Sequence, residues 1–491
     1  MSELTVKPAT DLLSMLQQRS ISSFELATEH IREIERLNPC LLAYADFDPE
    51  RLLHAARQAD DSRARSQRPD EDAPLLGLPI SIKSSIATAG YRCETGTVLH
   101  RGLVAQDDAV AVSRMRQAGA LILGTTNCPE FLMAYETDNL LYGATTNPWS
   151  LQHSAGGSSG GEAAAIAAGL SAGGIGSDSG GSVREPAHFT GICSLKPTPG
   201  RIPSQGHMLP CVGPFSILGA LGPMARTMRD VSLFFQLLSA PYASVTTGIT
   251  IPSSSADATD LRSRPIGVLE DDGLVPVTSE TRLAVRSAAA ALEQRGFQVR
   301  PFRSNLLETA RQLWWTFFIR CGRMLLEPTI ESHDSELSPT FRYFLDVARK
   351  EPFLTGQELL SAWTQSDQVR SALSEELASY SAILSPVCSI PAFKHGEREW
   401  QVEGRKVEYF SAMRFTQWFN LLGAPAAVVP VGRSIDGLPI GVQVASYPHQ
   451  DEAVLAIAEL LDRDFGYQPP PMALESRSDK GGEINELAIA C

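Results

Sequence analysis

Between His153 and Pro186 the chain reads HSAGGSSGGEAAAIAAGLSAGGIGSDSGGSVREP, ten glycines and seven serines in 34 residues. So much bare backbone and so many hydroxyls leave few options. A flexible linker is one, but the middle of the run, EAAAIAAGLSA, reads as a helix of small residues with Gly169 able to cap its C-terminus. Two glycine-rich turns flanking a packed helix make a rigid construction, and Arg184 and Pro186 directly after the second turn do not suit a linker. Phosphate binding is another option, because glycine-rich turns before helices offer backbone N–H groups to anions. The spelling GxxxxGK[ST] is absent, however, and GGIGSDSG lacks the third glycine of a dinucleotide fingerprint. A nucleophile elbow, G-x-S-x-G, fits at 156–160 and at 157–161, but such a match is cheap in a Gly/Ser run. A Ser/His/Asp triad would need a downstream histidine, and His333, His395 and His449 have undistinguished surroundings.

A serine hydroxyl becomes a good nucleophile when a base removes its proton, and where no histidine serves, an amine does so if burial keeps it neutral. The chain has seven lysines. Lys83 stands among Pro79, Ile80, Ile82 and Ile86, Lys196 lies in SLKPTPG, and Lys7, Lys350, Lys394, Lys406 and Lys480 have polar or charged neighbours. Lys83 is therefore a candidate base; the competing reading is a solvent-facing residue on an apolar strand.

The surrounding chain reads as α/β. LPISIKS alternates as a strand ending at Lys83, DAVAVSRMRQAG as a helix, and ALILGTT as a buried strand. RPIGVLED, a helix from Ser279 to a glycine stop, and GFQVRPF repeat the order, and SAILSP and AAVVPVG add strand signals. Residues 1–66 read as a helical N-terminal part in which Ser22 or Ser23 caps the second segment; 67–467 form the core, with a more helical, aromatic-rich stretch at 304–380; and 468–491 form a polar, disordered tail. The pairs Trp314-Trp315 and Phe317-Phe318 suit either packing core or the wall of a ligand pocket.

Composition excludes several classes. A net charge of −14 with no basic run argues against a nucleic-acid partner. Eight scattered cysteines without ligand spacing argue against a zinc site or a disulfide framework, and suggest reduced thiols in a cytoplasmic protein. The opening MSELTVKPATDLLSML lacks the pattern of a signal peptide, no apolar run is long enough to span a bilayer, and Cys491 does not fit a prenylation box, so no membrane association is expected.

GLPISIK at 77–83, GGSSGG at 156–161, GSDSGGSVREPA at 176–187 and GICSLKPTPGRIP at 191–203, in the family's order and spacing, resemble the amidase signature family of serine hydrolases. AGALILGTTNCPEF, GATTNPWS, GPMARTMRD, FNLLGAPAAVVPVG and DGLPIGVQV extend the resemblance over roughly residues 9–465. It implies a single large three-layer α/β/α fold with a mixed central sheet covered by helices. It also implies a catalytic set of Lys83 as base, Ser158 as bridging serine after a cis Gly157-Ser158 bond, and Ser182 as nucleophile. The backbone N–H groups of Ser179, Gly180, Gly181 and Ser182 would form an oxyanion hole, with Asp178 and Arg184 supporting the loop; an exposed loop pair is the alternative for those two. Three positions depart from the family pattern: Ser84 stands where an acidic residue often follows the base, Ala155 replaces a proline, and Ser179 replaces a threonine.

The expected function is hydrolysis of the carbon-nitrogen bond of a small carboxamide through a Ser182 acyl-enzyme, releasing an acid and ammonia or an amine. No metal and no cofactor is called for, the partner is the small-molecule amide, and a homodimer is compatible with this reading. The alternative is the glutaminase subunit of a tRNA-dependent amidotransferase. Pocket walls are expected from 304–380 and from Phe410 to Trp418.

Overall fold

A computed structural model describes residues 4–65, 73–239 and 261–474. Its strands are β1 (Tyr44–Phe47), β2 (Pro79–Lys83), β3 (Leu121–Thr126), β4 (Thr146–Asn147), β5 (Ser150–Ser154), β6 (Gly173–Asp178), β7 (Cys193–Lys196), β8 (Ala220–Ala225), β9 (Ile266–Val268), β10 (Val299–Pro301), β11 (Ala382–Pro386), β12 (Glu399–Val402), β13 (Arg405–Glu408), β14 (Ala426–Arg433) and β15 (Pro439–Ala445). Eleven of them form one sheet in the order β1-β3-β2-β6-β8-β7-β14-β15-β11-β9-β10, while β4 with β5 and β12 with β13 form separate hairpins. The sheet is mixed: β2 runs parallel to β3 and β6, and the run from β6 through β8, β7, β14 and β15 to β11 is antiparallel.

Strand periodicity decides which residues meet which helical layer. Ile80 and Ile82, Ile175, Ala427 and Val429, and Ile440, Val442 and Val444 join one apolar cluster with the helices Val110–Gln117, Met228–Leu238, Ser279–Gln294 and Asp451–Asp464. The alternate positions look the other way. Ser81 bonds Glu162 of the helix Gly160–Ala167, Gln443 bonds Arg184 at the start of the helix Arg184–Thr190, and Val428 packs with Ala163, Ile166 and Ala187. Helices therefore cover both faces, the three-layer arrangement that the family resemblance implies.

The first segment departs from an all-helical entry. Helices Ala9–Gln17, Ser23–Leu41 and Pro49–Arg65 are present, and Ser22 closes a capping box with Glu25. Between the last two, β1 adds an antiparallel edge strand against β3, four residues too short to stand out from the flanking helical periodicity. The stretch 304–380 is helical, with Trp314 and Phe317 inside a second apolar cluster. Of the expected tail, Pro471–Leu474 form a short helix; 475–491 lie outside the described residues. Cys93, Cys128, Cys193, Cys211, Cys321 and Cys388 are free thiols, whereas Cys40 is disulfide-bonded, which corrects the expectation of eight reduced thiols. No helix among the described residues is long and apolar enough to cross a membrane.

Candidate active site

Lys83 ends β2 with no exposed surface, which removes the reading as a solvent-facing strand residue. Its Nζ lies 2.7 Å from Ser158 Oγ, 3.0 Å from Ser159 Oγ and 3.1 Å from Ser177 Oγ. Three hydroxyls thus take up the bonding capacity of the amine, and no carboxylate touches it among these contacts. Burial lowers its pKa from 10.5 to about 8, against the opposing pull of Cys128, Asp178 and Glu162. Lys196, equally buried and brought down to about 7 by burial and Arg184, donates to the carbonyl of Pro197 (2.9 Å). Burial alone does not distinguish the two lysines; the serines around Lys83 do.

Ser158 follows a cis peptide bond from Gly157, as the resemblance implies. A Cβ on Gly157 would lie 2.6 Å from the backbone of Glu136, so a side chain there has no room. The Gly157 N–H donates to Glu185 Oε2 (2.9 Å), and burial raises the Glu185 carboxyl well above its ordinary range. The Ser159 N–H donates to the carbonyl of Ser182 (3.1 Å), joining the two Gly/Ser turns. Ser158, Ser177, Ser179 and Ser182 line one cavity of about 30 Å³.

The turn that carries Ser182 is held from several sides. Asp178 and Arg184 are both fully buried, not an exposed pair. Burial pushes the Asp178 carboxyl up, but the charge and hydrogen bonds of Arg184 outweigh it and hold the group well below the usual carboxylate range. Arg184 also donates to Gln443 Oε1 (2.6 Å), Asn420 Oδ1 (2.5 Å) and the carbonyl of Thr416 (3.2 Å). The carbonyl of Ser179 accepts from the Trp314 indole (2.8 Å), and that of Gly180 from Tyr135 Oη (2.9 Å) and Thr416 Oγ1 (2.5 Å). Fixing these carbonyls outward orients the intervening N–H groups. One of them differs from expectation: the Gly181 N–H donates to Asp178 Oδ1 (2.8 Å), which removes it from the expected oxyanion donors.

The remaining lining comes from Phe131, Leu132, Met133, His207, Leu209, Cys211, Phe215 and Phe318. Phe318 is the part of 304–380 that reaches this cavity; it stacks on Trp314 with ring centroids 4.8 Å apart. Phe410 lines a different cavity of about 620 Å³ with Trp315 and Tyr343, and Trp418 is buried, so neither is in this wall. Burial and the nearby Lys83 lower His207 to about 4, leaving it neutral. Among the described residues, no group of three or more His, Cys, Asp or Glu is arranged to hold a metal ion.

Ser177, Glu162, Tyr135, Trp314, Thr416, Asn420 and Gln443 are absent from the expected set. Trp314 stands out only as one of an aromatic pair, and Glu162 leaves a trace as the single charge in the apolar run EAAAIAAGL.

A family model described as Amidase matches residues 25–455. The A-type subunit of glutamyl-tRNA(Gln) amidotransferase from Bdellovibrio bacteriovorus is 30% identical over 94% of this chain and 97% of its own length. Human fatty-acid amide hydrolase 2 is 28% identical over 93% of this chain and 88% of its own length. The structure of a 6-aminohexanoate cyclic dimer hydrolase complexed with substrate superposes with a TM-score of 0.82 at 26% identity, covering 96% of this chain and 99% of the other.

Proposed function

Because the chain belongs to the amidase signature family, whose enzymes hydrolyse amide carbon-nitrogen bonds, we propose that it hydrolyses a small carboxamide through an acyl-enzyme on Ser182. The observation that carries the reading is the 2.7 Å contact between Lys83 Nζ and Ser158 Oγ in a cavity that Ser182 also lines.

Neutral Lys83 takes the proton of Ser158 while Ser158 takes that of Ser182, and Ser182 Oγ attacks the amide carbonyl. Negative charge develops on the carbonyl oxygen, where the N–H groups of Ser179, Gly180 and Ser182 act as donors. Reversal of the relay protonates the leaving nitrogen as the carbon-nitrogen bond breaks, and ammonia or an amine departs. Water, deprotonated by the same relay, attacks the ester on Ser182; the acid leaves and Ser182 regains its proton. Asp178 and Arg184 hold the donor turn in shape.

The wall formed by Phe131, Leu132, Met133, Leu209, Phe215 and Phe318 favours an uncharged, apolar acyl group. A second reading, the glutaminase subunit of a tRNA-dependent amidotransferase, draws support from the named function of the Bdellovibrio relative. No described lining residue carries a charge that would pair with the ammonium or carboxylate of glutamine, which favours the first reading. Labelling with a fluorophosphonate, followed by mapping of the modified residue, tests the chemistry: label on Ser182 is expected, and an unlabelled native protein beside a labelled control amidase removes the proposal. Glutamine turnover that requires a co-purifying partner protein would favour the second reading.

A further inference from the structure

Glu162 lies on the buried face of the helix Gly160–Ala167, fully inaccessible, with each carboxylate oxygen gripped by one hydroxyl: Ser81 Oγ to Oε1 at 2.6 Å and Thr126 Oγ1 to Oε2 at 2.7 Å. Both hydroxyls belong to the backbone neighbourhood of Lys83. Ser81 precedes it by two on the same face of β2, and Thr126 is its register partner on β3. Room for the carboxylate comes from Gly174, where a Cβ would lie 2.0 Å from Oε1. The residue after the base supplies no charge, since Ser84 Oγ instead meets Cys128 Sγ at 3.2 Å.

From this juxtaposition we propose that Glu162 is a positioning residue for Lys83, a carboxylate clamped behind the base that, together with Asp178, sets its charge state without touching the reacting atoms. The inference rests on the reading of Lys83 as the base.

Of the other titratable groups facing this pair, Asp178 also holds a negative charge that favours protonated Lys83. Around Lys83 they are Cys128, Asp178 and His207, and Tyr44 faces Glu162 from β1. Burial raises the Tyr44 hydroxyl and the Cys128 thiol, and burial with Lys83 lowers His207, so these three stay neutral near neutral pH. Asp178 stays ionised and paired with Arg184. Burial raises the Glu162 carboxyl to about 7, against the lowering effect of Ser81, Thr126 and Lys83, so its charge changes close to where Lys83 changes its own.

The test is the pH dependence of kcat/KM. Glu162→Gln removes a negative neighbour, so the Lys83 proton is released more readily and the acid limb moves about tenfold in proton concentration, to lower pH. Glu162→Asp, which keeps the charge, leaves the limb near its original place. A purely structural clamp predicts a uniform fall in rate with an unmoved limb, and that result overturns the proposal. Should the Gln variant not fold, Thr126→Val loosens the grip that favours the charged carboxylate and moves the limb in the same direction; an unmoved limb again overturns the proposal. Fluorophosphonate labelling of Ser182 in the unsubstituted protein separates the two failures, because it reports on the hydrolase reading alone.

Discussion

Arg184 grips Asp178 with two parallel hydrogen bonds, Nε to Oδ2 and Nη2 to Oδ1, each 3.0 Å and both sealed from solvent. Such a fork combines charge with fixed geometry. Its contribution is asymmetric, because deleting one partner strands the other charge in the interior.

Arg184→Met is therefore expected to lower stability by ~3–5 kcal/mol, read as a fall in the denaturant midpoint. The double variant with Asp178→Asn should lose less than the two single losses together, because neither charge is then stranded. A fully additive pair of losses would contradict this account. The sign with pH follows from the depressed Asp178 carboxyl: its contribution is present above the ordinary carboxylate range and is lost as pH falls through the lower folded-state value. Acid unfolding should accordingly begin below that range and flatten in the double variant.

Lys83 moves the other way. Its folded-state pKa lies below the ordinary 10.5, at about 8, so the unfolded chain binds more protons between those values and stability rises with pH across that window. Lys83→Met should abolish hydrolysis yet hold or raise stability at pH 7, by ~1–3 kcal/mol, since each tenfold change in an acid constant corresponds to about 1.4 kcal/mol. Thermal melts at pH 7 and pH 9 check both, with a smaller difference between them expected in the variant.

The same amine gives kcat/KM of the unsubstituted protein an acid limb centred near pH 8. A limb in the ordinary imidazole range that disappears in His207→Ala would point instead to a histidine.

Ser182→Ala should remove fluorophosphonate labelling entirely, and Ser158→Ala should slow it by roughly 10²–10⁴-fold, the usual range for losing a proton-transfer group. His207→Ala, His395→Ala and His449→Ala should label at close to the original rate. A folded histidine variant that no longer labels would return the assignment to a Ser/His pair.

Trp314→Phe keeps the ring stacked on Phe318 but loses the N–H donated to the Ser179 carbonyl, and Tyr135→Phe loses the donor to Gly180. Each should cost ~1 kcal/mol of stability, but only Trp314→Phe should also lower kcat more than it changes KM, because the Ser179 carbonyl shares its peptide plane with the Gly180 N–H, whereas the Gly180 carbonyl shares its plane with the Gly181 N–H that bonds Asp178. Steady-state kinetics of both variants, beside their unfolding curves, separate the two effects.

The motif residues were legible because a Gly/Ser turn and an apolar strand announce themselves locally; the chemical argument for a base brought forward Lys83, and the resemblance to the amidase signature family supplied the roles of Ser158 and Ser182. The strand and helix order around Lys83 was legible for the same reason, as in Pro79–Lys83, Val110–Gln117 and Leu121–Thr126. What escaped was decided by tertiary contact. Thr416 and Asn420 are one helical turn apart on Arg414–Leu422 and meet the turn at 178–184 only through folding. Whether the Gly181 N–H faces a substrate or Asp178 is likewise not written in GGS. Phe318 and Phe410 look alike in sequence, yet they line different cavities.

The buried guanidinium of Arg184 also orders events in time. Its partners at Thr416, Asn420 and Gln443 leave the ribosome more than 230 residues after it. A nascent chain therefore carries Lys83, Ser158 and Ser182 through more than 230 residues of further synthesis without the contacts that lock the turn. The turn that carries Ser182 is thus completed only by the last helices and strands of the chain.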